Sequence, residues 1–172
     1  KKILLQLDVD PQPCPFDAIV AVDAGADLLL RHGNVSPENV VSLVHGAMFT
    51  RGASDLASTS IFLGGKNISR VEEIASTISK TFFKSVRVSV FIDPAGANTT
   101  AAATVIAAKR HISCQNPARS KAYRALVLGG TGPVGQRVSR LLANQGINVH
   151  LASRSFERAS QRCKLLSKEF HL

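Results

Sequence analysis

An apolar run at 126–128, LVL, enters a turn with glycines at 129, 130, 132 and 135, and a helix-forming segment follows. Gly130, Gly132 and Gly135 stand at G-x-G-x-x-G spacing. In a dinucleotide site the first glycine allows the tight turn, the second lets backbone approach the pyrophosphate, and the third lets helix pack on strand. The N–H groups that open the helix then face the phosphates. The spacing alone is weak evidence, but the surroundings fit: a strand over 124–129, a helix over 133–145, a second strand over 147–152 and a second helix over 155–170. Gly130, Thr131, Gly132, Pro133, Val134 and Gly135 are therefore the expected dinucleotide cradle.

The end of the second strand bears on which dinucleotide. An NAD site usually places Asp or Glu there for the ribose 2′-OH. This chain reads LASRSFERAS, and Ser153, Arg154 and Ser155 take that place. Hydroxyls and a guanidinium suit a 2′-phosphate, which favours NADP, with NAD as the alternative because Arg also stacks on adenine. A solvated Arg at a helix start is the structural alternative for Arg154.

The preceding segment reads as an α/β layer. KILLQLDVD (2–10) is a strand, and FDAIVAVDAGAD (16–27) reads as a strand running into a loop. Ser36 as N-cap with Pro37 after it opens a helix. SIFLGG (60–65) and VRVSVFID (86–93) are strands; 68–83 and the stretch from about Thr99 have helical character. The expected fold is an N-terminal α/β domain with a mostly parallel sheet over 1–115, a linker over 116–123, and the first βαβα of a Rossmann dinucleotide-binding domain over 124–172. Acids and small polar residues gather near predicted strand ends, where ligands of open α/β sheets bind: Asp8, Asp10, Asp17, Asp23, Asp27, Asp93, Asn98, Thr99 and Thr100. Each taken alone is equally explained as a turn or cap residue.

Other features narrow the class. His32, His45, His111 and His150 have no partners at ligand spacing, and Cys14, Cys114 and Cys163 are far apart, so no metal site is expected and free thiols in the cytoplasm are. Residues 1–115 carry a net charge of +1 and residues 116–172 carry +8. A phosphate-bearing ligand explains that excess, and so does an acidic remainder of a longer chain; with one Tyr and no Trp, single-stranded nucleic acid is not the expected partner. No apolar run is long enough for a membrane span. An incomplete sheet edge favours a homo-oligomer.

LDVDPQPCPFDAIVAVDAGAD, GNVSPENV, FTRG, STSIFLGG, GANTTAAA and GTGPVG occur in this order from residue 7 to residue 135. Together they resemble the bacterial NAD(P)-dependent methylene-tetrahydromethanopterin dehydrogenases of one-carbon metabolism (formaldehyde oxidation), over about Ile3 to Ala159. The resemblance implies a substrate-facing N-terminal domain, a Rossmann domain, and a pterin held in the cleft between them. It implies hydride transfer between methylene-tetrahydromethanopterin, or the tetrahydrofolate analogue, and NADP or NAD. It further implies that such proteins continue for more than a hundred residues beyond this chain. With that reading, Asp17 and Asp23 are the charge-stabilising candidates, and Asp17, Asp23, Asp27, Asn98, Thr99 and Thr100 the candidates for the pterin. The rival reading is a non-catalytic NADP-binding module.

Overall fold

The computed structural model describes residues 1–111 and 123–170. The expected linker, apart from Tyr123, and Cys114 lie outside the described residues. The elements are β1 (Ile3–Asp8), α1 (Pro15–Asp23), β2 (Leu28–His32), α2 (Pro37–Phe49), α3 (Ala53–Leu56), β3 (Thr59–Gly64), α4 (Ile68–Thr81), β4 (Ser89–Ile92), a 3-10 turn (Pro94–Gly96), α5 (Ala97–His111), β5 (Arg124–Leu128), α6 (Pro133–Ala143), β6 (Asn148–Ala152) and α7 (Phe156–Phe170). They form two compact units, Lys1–Gly96 and Ala97–Leu172.

In the first unit all strands are parallel, in the order β2-β1-β3-β4. Alternation along β1 sorts its side chains. Leu5 and Leu7 join Ile61 and Leu63 of β3 in one core with Val40, Val44 and Met48 of α2 and Val71, Ile74 and Ile78 of α4. Gln6 and Asp8 point to the opposite face, and both are 1% exposed. The start of α2 follows from its sequence: Pro37 occupies the first turn, and the Ser36 N–H donates to Asn39 Oδ1 at 2.8 Å. At the far end of the sheet Arg51 staples the chain, donating to Thr59 Oγ1 at 2.8 Å and to the Lys1 carbonyl at 3.1 Å.

The second unit has β5 and β6 paired in parallel. Its core joins Ala101 and Val105 of α5 to Val138 and Leu142 of α6 and to Ile147. No helix among the described residues is long and apolar enough to cross a membrane.

Three expectations change. Residues 15–23 are a helix, not a strand, and the strand is the next segment, 28–32. Pro15 starts that helix and fixes φ at its first position, whereas Gly25, with φ +94°, ends the turn that leads into β2. β4 begins at 89 rather than 86 because Phe83 and Val86 pair with one another in a tight reversal. The division of the chain falls at 96/97 rather than at 115/116, since α5 packs Ala101 and Val105 on α6.

Candidate functional site

The second unit builds a cradle around the glycines. Gly129, not Gly130, takes the left-handed conformation (φ +69°), so the tight turn rests on the residue before the motif. Gly130 serves close packing instead. Its N–H donates to the Ala152 carbonyl at 3.0 Å, and a Cβ on it would lie 2.1 Å from Leu151 Cδ2 of β6. A Cβ on Gly135 would lie 2.4 Å from the Gly129 carbonyl oxygen and 2.8 Å from Gly130 Cα, so the helix leans directly on the turn. Gly132 has more room, with its nearest neighbour 3.3 Å from such a Cβ. It is the N-cap of α6 and carries no side chain, so the face of the helix start is bare backbone.

A cleft of about 890 Å³ opens against this turn, lined by Gly129, Thr131, Gly132, Ser153, Arg154, Ser155 and Arg158 among others. Thr131 Oγ1 and Ser153 Oγ lie 3.1 Å apart and tie the two loops together. Pro133, Val134 and Gly135 do not line the cleft. Pro133 begins α6, and Val134 packs on the second core. Ser155 works mainly as a cap: its hydroxyl oxygen accepts the Arg158 N–H at 3.3 Å and its O–H donates to Glu157 Oε2 at 2.8 Å. That bond holds the Glu157 carboxyl below the usual range. An acid therefore does follow the second strand, one turn later than the usual place and engaged by Ser155. Arg158, in the first turn of α7, lines the cleft as well, and no motif in the sequence singles it out.

This shape fits a dinucleotide. Bare amides at a helix start suit a pyrophosphate, and Arg154 and Arg158 line the same cleft as Ser153.

In the first unit the carboxyl ends of the strands collect carboxylates. Asp8 is spent on structure: its Oδ1 accepts the Asp10 N–H at 2.8 Å and its Oδ2 accepts the Cys14 N–H at 3.1 Å. Asp17, in the first turn of α1, reaches over the end of β3, with Oδ2 3.6 Å from where a Cβ on Gly64 would stand. Burial raises its pKa above the usual carboxylate value, and the negative charges of Asp8 and Asp93 push the same way. A hydrogen bond with the Cys14 side chain opposes them.

Asp23 and Asp27 do not join this cluster. Asp23 ends α1, and Asp27 accepts the Lys2 N–H at 2.6 Å just before β2. Asp23 lies six residues on from Asp17 along α1, about 9 Å of helix rise away, and Asp27 sits beside Lys2 at the amino end of β1. Reading 16–27 as a strand had put them at the wrong edge. Asn98, Thr99 and Thr100 open α5, in the second unit. Asn98 Oδ1 accepts from Arg137 Nε of α6, and Thr99 and Thr100 are exposed. Among the described residues no three His, Cys, Asp or Glu side chains stand where they could hold a metal ion.

Comparison with known proteins adds to this geometry. Residues 15–95 match the family model described as methylene-tetrahydromethanopterin dehydrogenase, N-terminal. The whole chain is similar to a protein of Methylorubrum extorquens named bifunctional protein MdtA: 40% identical over 170 residues, covering 99% of this chain and 58% of that protein. A second protein of the same organism, named NAD(P)-dependent methylenetetrahydromethanopterin dehydrogenase, is 33% identical over 143 residues, covering 83% of this chain and 48% of its own length. The chain thus spans about half the length of the curated relatives it matches.

Proposed function

We propose that the chain, whose residues 15–95 match the N-terminal model of the methylene-tetrahydromethanopterin dehydrogenases, forms part of an oxidoreductase that moves a hydride from methylene-tetrahydromethanopterin, or its tetrahydrofolate counterpart, to NADP. The observation that carries this reading is the cleft against Gly129 and Gly132, with Arg154 and Arg158 on its rim.

The reaction asks little acid–base work of the protein. The methylene carbon sits between two nitrogens, so loss of hydride leaves a methenyl cation delocalised over N–C–N, and no proton leaves carbon. A bound nicotinamide would supply the hydride acceptor. The chain's own residues bind, orient and stabilise charge. In the second unit, the Gly129–Gly132 backbone and the start of α6 hold the pyrophosphate. Arg154, with Ser153 beside it and Arg158 one turn on, takes the ribose 2′-phosphate, which is the basis for NADP over NAD. In the first unit Asp17 faces the pterin. A half-buried carboxylate is poorly solvated in the resting site, and an adjacent developing cation favours its charged form, so it helps the transition state more than the ground state.

Asp17→Asn in the full-length protein tests this with two readouts. Removing the charge is expected to lower kcat by about 10- to 100-fold with KM for NADP unchanged. Stability moves the other way. Between the ordinary carboxylate pKa and the raised native value, the native state keeps a proton that the unfolded chain has lost, so wild-type stability falls as pH rises through that window. The Asn variant lacks this loss. Its Tm is expected modestly above wild type at pH 7 and equal to it below the ordinary carboxylate pKa. Absorbance at 340 nm and thermal melts at the two pH values read both effects. Binding of NADP without any turnover by the full-length protein would leave a nucleotide-binding module in place of an enzyme.

A further inference from the structure

Helix α1 has no hydrophobic seat. None of its side chains is buried, and Phe16, Ile19 and Val20 stand 62–79% exposed. Its first turn nevertheless carries Asp17 over the end of β3. What fixes that turn is polar. We propose that Gln6 and Arg31 are the positioning residues for Asp17, holding the chain at Pro13 and Cys14 so that the first turn of α1 starts at one place.

The geometry is specific. Gln6 is 1% exposed, and both ends of its amide are used: Nε2 donates to the Cys14 carbonyl at 2.9 Å, and Oε1 accepts from Arg31 Nε at 2.9 Å. A second nitrogen of the same guanidinium, Nη2, donates to the Pro13 carbonyl at 2.7 Å. Two consecutive carbonyls just before the helix are thereby captured. Arg31 can do this because it stands directly across from Gln6 in the parallel register of β1 and β2. Asp8, two residues along β1 on the same face, takes the Cys14 N–H. Cys14 is thus held through its amide, its carbonyl and, by Asp17 itself, its side chain.

The composition argues for a purpose. β1 reads ILLQLD, and a leucine at position 6 would bury with no hydrogen bonds to satisfy. A buried glutamine there breaks the local rule, and the compensation is the tie it makes. Arg is needed rather than Lys, because a single ammonium lacks the planar fork that serves Gln6 and Pro13 at once.

The proposal rests on the reading of Asp17 as pterin-facing, and a double-mutant cycle in the full-length protein separates the two. Arg31→Met, Arg31→Lys and Gln6→Met are made with Asp17 and again with Asp17→Asn. The readouts are kcat/KM for methylene-tetrahydromethanopterin at saturating NADP, KM for NADP, and Tm. Arg31→Met is expected to lower kcat/KM for the pterin about tenfold with Asp17 present, and less than about twofold once Asp17 is replaced, with KM for NADP unchanged. Arg31→Lys is expected to restore little. Equal losses in both backgrounds, or no loss at all, would overturn the proposal while leaving the Asp17 reading intact. If Asp17→Asn alone costs nothing, both fall. Arg31 is exposed, so its variants carry the test even if Gln6→Met does not fold.

Discussion

Gly135→Val is expected to destabilise the second unit by about 3 kcal/mol and to remove measurable dinucleotide binding. Its Cβ would stand 2.4 Å from the Gly129 carbonyl oxygen and 2.8 Å from Gly130 Cα. These are backbone atoms, so no side-chain rotation relieves the contact, and α6 must move off the turn. Gly132→Ala is the matched control. There the nearest atom is 3.3 Å away and φ is −79°, which any residue adopts. Its Tm should change little, while the new methyl stands where a pyrophosphate would approach the backbone. A calorimetric titration with NADP beside a thermal melt checks both. Weak binding with an unchanged Tm at 132, against loss of both at 135, separates the glycine that meets the ligand from the glycine that carries the helix. An unchanged Tm for Gly135→Val would mean that α6 does not lean on the turn.

Arg154→Ala is expected to weaken NADP binding by about 10- to 100-fold and NAD binding by less than about threefold, since a hydrogen-bonded charge pair contributes about 1.5–3 kcal/mol. Arg158→Ala should follow the same selectivity with a smaller loss, and the double variant should bring the two dinucleotides close to equal affinity. The preference should also weaken as salt rises, because the rim is open to solvent. Equal losses for NADP and NAD would place Arg154 against the adenine ring and remove the 2′-phosphate reading. Fluorescence titrations with each reduced dinucleotide distinguish these outcomes.

The parts of this protein that were legible in its sequence are those in which a local rule and the packing agree. Ser36 and Pro37 announce α2, and the glycines at 130, 132 and 135 sit between two strands that pair in parallel. The segment 16–27 misled for a physical reason. Phe16, Ile19, Val20 and Val22 are apolar yet exposed, so they give no contrast between a buried and a solvated face from which to read a period. Taken as a strand, 16–27 hides the strand LLLRH and puts Asp23 and Asp27 at a carboxyl strand end, whereas Asp23 ends α1 and Asp27 precedes β2. The alanine-rich helix at 97–111 was legible as a helix but not as to its neighbour, since small side chains such as Ala101 fit against many surfaces and here meet α6. Gln6 and Arg31 carry no motif. They are 25 residues apart, and only the parallel register of their strands brings them together.

The placement of Gln6 and Asp8 matters before the sheet exists. During synthesis β1 emerges ahead of both its partners: Leu5 pairs with Leu30 and with Ile61, and Leu7 with His32 and with Leu63. Until residue 64 is out, the strand has bare edges that another nascent chain could match. An uninterrupted apolar strand in that interval is a template for aggregation. In ILLQLD the glutamine and the aspartate fall on one face with Leu4, so two of the three side chains on that side of the waiting strand are polar. The side chains that anchor a helix in the finished protein are placed to serve earlier as gatekeepers, and an apolar replacement at position 6 is expected to show first in the yield of soluble protein.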